Sequence, residues 1–274
     1  DLYVTLKPCC HTGKQPPCTE AVLASGVKRV IVGCTDPNPV VAGRGIRLLR
    51  EKGLEVVAGV LRGECERQNE VFFHFMRTKL PFTVLKYAMT LDGKTATVSG
   101  KSQWITGEAA RKRVHEDRGR YMAILTGVST VLADNPQLTC RIPGGKNPIR
   151  VIADTKLRTP LSSTVVQTAR ETPTWIVTAV SDAGRKKAYE DAGCRVLSVP
   201  AKEGELDLQA MMQLLGEEKG GSVMVERDAG MVVFKGRACE PGAGVHCSED
   251  FRRCRHPDPG EGNRCGCAAG GISS

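Results

Sequence analysis

The chain has 274 residues, 41% hydrophobic, 25% charged and 4% aromatic, an ordinary globular composition with room for two modest domains. No stretch reaches the ~18 consecutive apolar residues of a membrane span, and the opening Asp1-Leu2-Tyr3-Val4-Thr5-Leu6 lacks the charged start and long apolar run of a signal peptide. A net charge of +9 without a block of like charges suits phosphorylated small molecules as well as nucleic acid, which is not expected as the main partner. Twelve cysteines, about 4% of the chain, fall below the ~8–10% of a disulfide scaffold, so a reducing, cytoplasmic compartment is expected.

The opening residues read as a strand entered midway, so the chain is expected to begin inside a domain. Strands are expected at Leu2–Leu6, Val27–Gly33 and Leu54–Leu61. Helices are expected at Thr19–Ser25, Gly43–Lys52 and Glu64–Arg77, the first two stopped by Gly26 and Gly53. This alternation argues for an α/β layer with crossover helices. Gly43-Arg44-Gly45 lacks the third glycine of a dinucleotide fingerprint, because Leu48 stands there, and reads as a loop-to-helix turn.

Thr78–Pro81 is expected to be a linker. A second α/β pattern follows, with strands at Phe82–Met89, Ala123–Thr126, Ile149–Ala153, Thr174–Val180 and Ser222–Glu226. Asp92-Gly93 marks a turn. Helices are expected at Gly107–Arg118, with Thr106 as N-cap, and at Asp182–Ala192 and Leu206–Glu218. No internal repeat is found.

Residues 227–274 hold five Cys, nine Gly and three Pro. Apart from Met231–Phe234 they show no apolar periodicity, so a disordered or poorly packed tail is expected. The rival reading is a zinc- or RNA-binding appendage on Cys239, Cys247, Cys254, Cys265, Cys267, His246 and His256. Irregular spacing, and a Cys265-Gly266-Cys267 too close for a C-x₂₋₄-C knuckle, count against it.

Pro8-Cys9-Cys10-His11 through Pro17-Cys18 joins a strand to a helix. Thiolates there can bind zinc. Zinc deaminases pair an H-x-E segment with P-C-x-x-C, the metal activating water and the Glu moving protons. Only the P-C half is present, with eight residues between Cys9 and Cys18, and every His lies downstream of Cys9.

VTLKPCCHTGKQPPCTEAV and DPNPVVAGRGIRLL, with LKYAMTLDGKTATVSGKSQWITGEAAR and TGVSTVLADNPQLTCR, resemble the riboflavin-biosynthesis bifunctional deaminase/reductase family over about residues 1–226. The resemblance implies zinc-dependent deamination of a diaminopyrimidinone ribosylamine phosphate and NADPH-dependent reduction of its ribosyl group to ribityl. It implies a partial cytidine-deaminase-like domain at 1–77, a linker at 78–81, an incomplete dihydrofolate-reductase-like domain at 82–226 and an aberrant tail at 227–274. Cys9 and Cys18 match the zinc thiolates, and Cys10 a non-ligand position. Ala88, Trp104, Thr130, Asp134 and Thr155 match NADPH-contacting positions. Ser102, Arg118, Leu138, Arg141 and Glu226 match substrate-contacting positions, and Lys86 could bond the sugar. Arginine forks suit a ribose phosphate.

Taken singly, Trp104 reads as a core anchor, Arg118 as a helix-end charge, Asp134 before Asn135-Pro136 as a turn residue and Glu226 as a strand-end carboxylate. Their joint order carries the resemblance. The family's zinc His and catalytic Glu have no match, and Asp228 puts a negative charge where the family has a glycine-rich turn at the cofactor phosphates. The chain as written is therefore expected to be inactive in deamination and weak or inactive in reduction. The expected partner is a small phosphorylated pyrimidine, with no membrane and with room for a homo-oligomer. The competing readings are a stand-alone zinc nucleoside or tRNA deaminase with an accessory domain, and a non-enzymatic basic zinc and nucleic-acid module.

Overall fold

Short β-branched runs form the strands here, and the central ones of the second unit, at Ala123–Gly127 and Ser222–Glu226, are buried along nearly their whole length, as strands of a parallel sheet covered on both faces should be. The computed structural model describes residues 1–12, 15–35, 43–90, 97–98, 105–218, 220–226 and 245–247. The chain divides into two compact units, Asp1–Pro81 and Phe82–Ser274.

The first unit carries β1 (Leu2–Leu6), α1 (Cys18–Ala24), β2 (Arg29–Cys34), α2 (Arg44–Glu51), β3 (Glu55–Ala58), α3 (Arg62–Gln68) and α4 (Glu70–Thr78). The strands pair in parallel in the order β1-β2-β3. Val22, Val30, Val32, Ile46, Leu49 and Val56 form their core. Gly43, at φ 74°, is the N-cap of α2, so the Gly43-Arg44-Gly45 segment is a loop-to-helix turn. Gly45 lets that helix approach the Pro8 loop: a Cβ there would lie 2.2 Å from the Pro8 carbonyl oxygen.

The expected single helix Glu64–Arg77 is two helices, α3 and α4. They meet at Asn69 (φ −103°, ψ 17°), whose side-chain Nδ2 donates to the Cys65 carbonyl at 2.7 Å. An Asn side chain that offers the backbone a local partner ends a helix that apolar spacing alone would continue.

The second unit carries β4 (Phe82–Lys86), α5 (Glu108–Arg120), β5 (Ala123–Gly127), α6 (Val128–Asp134), β6 (Ile149–Ala153) and α7 (Thr164–Gln167). It continues with β7 (Thr174–Thr178), α8 (Ala183–Asp191), β8 (Arg195–Ser198), the short pair β9 (Ala201–Lys202) and β10 (Glu205–Leu206), α9 (Leu208–Glu217), β11 (Ser222–Glu226) and β12 (Val245–Cys247). Among the described residues β12-β4-β11-β5-β6-β7-β8 form one parallel sheet.

Period-2 alternation sorts this core onto two faces. Leu125, Val151, Val177, Val223 and Val225 pack with Met211 and Leu215 of α9. Ile124, Ile152, Ile176 and Met224 pack with Val128 and Val131 of α6 and Tyr189 of α8. Asp182 and Asp207 cap α8 and α9 through their carboxylates.

Thr106 does not cap α5. The N-cap is Gly107 in extended conformation with no side-chain cap, and the Thr106 carbonyl instead accepts from Arg111 Nη1. The tail, expected to be disordered or poorly packed, contributes β12, which pairs with β4; the rest of it lies outside the described residues. No helix among the described residues is long and apolar enough to cross a membrane.

Candidate active site

In an open parallel sheet, ligands bind outside the carboxyl ends of the strands, where the chain order reverses. Here β4 leads across to β5 and on to β8, and the chain then returns to place β11 between β4 and β5. Lys86, Glu226, Gly127 and Ala153 are the last residues of four neighbouring strands, β4, β11, β5 and β6. Most of the described candidates fall on this edge. Ala88 lies two residues past β4, Thr130 in the first turn of α6 after β5, and Thr155 two residues past β6. Glu226 closes β11 directly opposite Lys86.

Arg118, near the end of α5, meets Glu226 as a two-pronged pair, Nε to Oε1 and Nη2 to Oε2, each 2.8 Å. Both side chains are nearly buried, at 10% and 13% exposure. The Thr126 hydroxyl donates to the Glu226 carbonyl. Burial alone would raise the Glu226 carboxyl; its bonds and attraction to Arg118, with help from Lys86 and His115, outweigh this and hold it below the usual carboxylate value.

The loop after α6 is gripped from both sides. Arg118 Nη1 donates to the Thr139 carbonyl at 3.1 Å, and His115 Nδ1 lies 3.3 Å from the same oxygen. Arg150, on β6, donates through Nη1 to the Gln137 carbonyl. Between them Leu138 sits at φ 53°, a left-handed conformation costly for a branched side chain. Its side chain is buried in the core, so any contact it makes with a ligand comes from its backbone. Arg141, three residues on, is exposed.

Asp134 ends α6 and is exposed; Asn135 beyond it adopts the left-handed cap and accepts from the Thr164 amide. Trp104, Ser102, Asp228 and the Asp92-Gly93 turn lie outside the described residues. His115 and Arg150 were not singled out from the sequence. The one available signal was the three-residue spacing that puts His115 on the Arg118 side of α5.

Among the described residues the buried Thr130 hydroxyl has no hydrogen-bond partner. An orphaned donor beside the β5–α6 turn, at the carboxyl edge, fits a cofactor group that would satisfy it. The residues present therefore fit NADPH at this point.

The two thiols of the first unit do come together. Cys9 Sγ and Cys18 Sγ are 3.1 Å apart, and the Cys18 amide donates to Cys9 Sγ. The Cys18 amide and then its thiol hold the Cys9 thiol below its ordinary value, while the Cys9 contact pushes the Cys18 thiol up. Among the described residues no third His, Cys, Asp or Glu joins them. Two thiolates are half of zinc's tetrahedral shell, so this set alone does not fit a resident zinc.

The family model of the RibD C-terminal domain matches residues 81–232. The riboflavin biosynthesis protein RibD of Actinobacillus pleuropneumoniae is 50% identical over 224 residues, covering 82% of this chain and 60% of the relative. That of Bacillus amyloliquefaciens is 48% identical over 231 residues, covering 84% and 62%. Among solved structures, a diaminohydroxyphosphoribosylaminopyrimidine deaminase/5-amino-6-(5-phosphoribosylamino)uracil reductase from Thermotoga maritima superposes with a TM-score of 0.70 at 38% identity, covering 84% of this chain and 62% of its own. Acinetobacter baumannii RibD superposes at 0.69 with 33% identity, covering 81% and 60%. This chain thus spans about three-fifths of the length of these relatives. By the match over residues 81–232, more than half of its length, the chain belongs to the family of the RibD C-terminal domain.

Proposed function

We propose that the second unit is the reductase of riboflavin biosynthesis, reducing the ribosyl group of a phosphoribosylaminouracil to ribityl with NADPH. What carries this reading is the near-buried Arg118–Glu226 pair at the end of β11, opposite Lys86, with Arg141 on the loop whose Thr139 carbonyl Arg118 holds. A fixed carboxylate and two arginines suit a substrate with sugar hydroxyls and a phosphate. Glu226 and Arg118 orient the sugar end, Arg141 meets the phosphate, and Lys86 bonds the sugar. Thr130, Asp134, Thr155 and Ala88, with Trp104, hold the cofactor, and Ser102 and the Leu138 backbone complete the substrate side. NADPH supplies the hydride. By the same resemblance Asp228 replaces a glycine of the family's cofactor-phosphate turn, an unfavourable exchange, so slow turnover is expected.

The test is to supply the 274-residue chain with NADPH and 5-amino-6-(5-phosphoribosylamino)uracil. Substrate-dependent loss of reduced-nicotinamide absorbance, with one ribityl product per NADPH, is expected, at a lower rate than the Thermotoga enzyme. NADPH consumption no faster with substrate than without it would sink the proposal.

For the first unit the same resemblance suggests part of a cytidine-deaminase-like domain, supported by the parallel β1-β2-β3 layer and the Cys9–Cys18 pair. Zinc there needs ligands beyond these two, and no hydrolytic step is assigned.

A further inference from the structure

His115 stands among the substrate-side groups without belonging to the set that the resemblance supplies. Its ring Nδ1 is 3.3 Å from the Thr139 carbonyl. A carbonyl oxygen only accepts, so Nδ1 carries the proton of this contact. The His115 backbone carbonyl in turn accepts from Cys140 Sγ at 3.2 Å, and the Cys140 amide donates to Asn147 Oδ1. Gly119, one turn along α5, packs against the same sulfur, which a Cβ there would meet at 3.1 Å. At Gly145 a Cβ would lie 2.4 Å from it. Helix and loop are thus held by polar contacts in both directions and by two glycines at one sulfur.

The geometry points to His115 as a positioning residue for substrate: with Arg118 it fixes the Thr139 carbonyl, which keeps Leu138 in its left-handed conformation and presents Arg141. This rests on the reductase reading above. Burial, and then Arg118 and Arg141, hold the ring below its ordinary value against the pull of Thr139 and Glu226. The clamp therefore works with a neutral ring at pH 7 and adds no third positive charge beside the two arginines.

Two substitutions separate positioning from bulk. Asn places an amide N–H close to where Nδ1–H stands; Leu fills the space without a donor. In the full chain, His115→Leu is expected to raise KM for 5-amino-6-(5-phosphoribosylamino)uracil about 10-fold with kcat within about 3-fold, the size of one lost net hydrogen bond. His115→Asn is expected to restore KM to within about 2-fold of the parent on the same scale. In the absence of ligands, exchange of the Cys140 amide is expected to speed up about 10-fold in His115→Leu and to stay near the parent rate in His115→Asn. An unchanged KM in His115→Leu, or a His115→Asn variant that folds but is not rescued, overturns the proposal. If the parent chain shows no turnover, the reductase reading fails on its own. Amide exchange then judges the clamp, and an unaltered Cys140 rate in His115→Leu overturns it.

Discussion

Replacing Arg150 by methionine is expected to lower the unfolding free energy of the second unit by about 3–5 kcal/mol. Arg150 is fully buried on β6, and among the described residues none of its hydrogen bonds goes to a carboxylate. Nε donates to Thr174 Oγ1, and Nη1 to the Gln137 carbonyl and Thr168 Oγ1. Nη2 donates to the carbonyls of Val165, Thr168 and Thr172. Burial pulls its pKa down to about 10, still well above neutrality, so the guanidinium stays charged and is solvated by oxygens of the protein. Methionine fills much of the volume but leaves the Gln137 carbonyl without this donor and several others under-satisfied. Arg150→Lys should recover little, because three donors on a point charge cannot reproduce the fork. Both tryptophans lie in this unit, so tryptophan fluorescence during denaturant unfolding reports it. A methionine variant within about 1 kcal/mol of the parent would remove Arg150 from the account of stability.

The second large effect concerns Glu226→Gln. The shape is kept, but Arg118 loses its buried counter-charge. Breaking such a pair from one side costs about 3–5 kcal/mol, more than the pair's own net worth. Under the reductase reading, kcat/KM should also fall on the order of 100-fold, about 2.7 kcal/mol of transition-state stabilisation. Arg118→Met with Glu226→Gln should be less damaging than the sum of the two single changes. The pair also sets an acid limit. The folded carboxyl is held below its ordinary 4.5, so its contribution is complete above that value and is lost as pH falls through the folded value. His115 is held below its ordinary 6.5. The unfolded chain protonates there first, and stability declines as pH drops below that value. Denaturation midpoints measured against pH should therefore fall in two stages. The lower stage should be absent in Glu226→Gln and the upper in His115→Asn. A single stage common to all three proteins would contradict these assignments.

Much of this architecture is legible because short apolar, β-branched runs mark the strands of a parallel sheet. The strands Leu2–Leu6, Ile149–Ala153 and Ser222–Glu226 fall where their apolar runs put them. What escaped was set by tertiary context. Val128–Asp134 is rich in β-branched residues yet is helical, because its Val128 and Val131 have a face of the sheet to cover and because propensity is a weak prior. Arg150 in Ile-Arg-Val-Ile-Ala resembles a solvated edge charge until its oxygen partners, up to 24 residues away, are seen. Glu226 and Arg118 are 108 residues apart. No spacing rule pairs them, and only the resemblance had put both on the substrate side. His115 had no such support, since its role depends on a loop carbonyl.

The central claim is that the carboxyl edge of β4, β11, β5 and β6 holds NADPH. Thr130→Val tests it most directly. Valine keeps the shape and removes the orphaned hydroxyl. The account predicts effects of opposite sign: stability without ligand unchanged or higher, because a buried unsatisfied group is gone, and NADPH affinity about 5- to 10-fold weaker, because its partner is gone. A Thr130→Val protein that binds NADPH as tightly as the parent, or a parent that binds none, would contradict it.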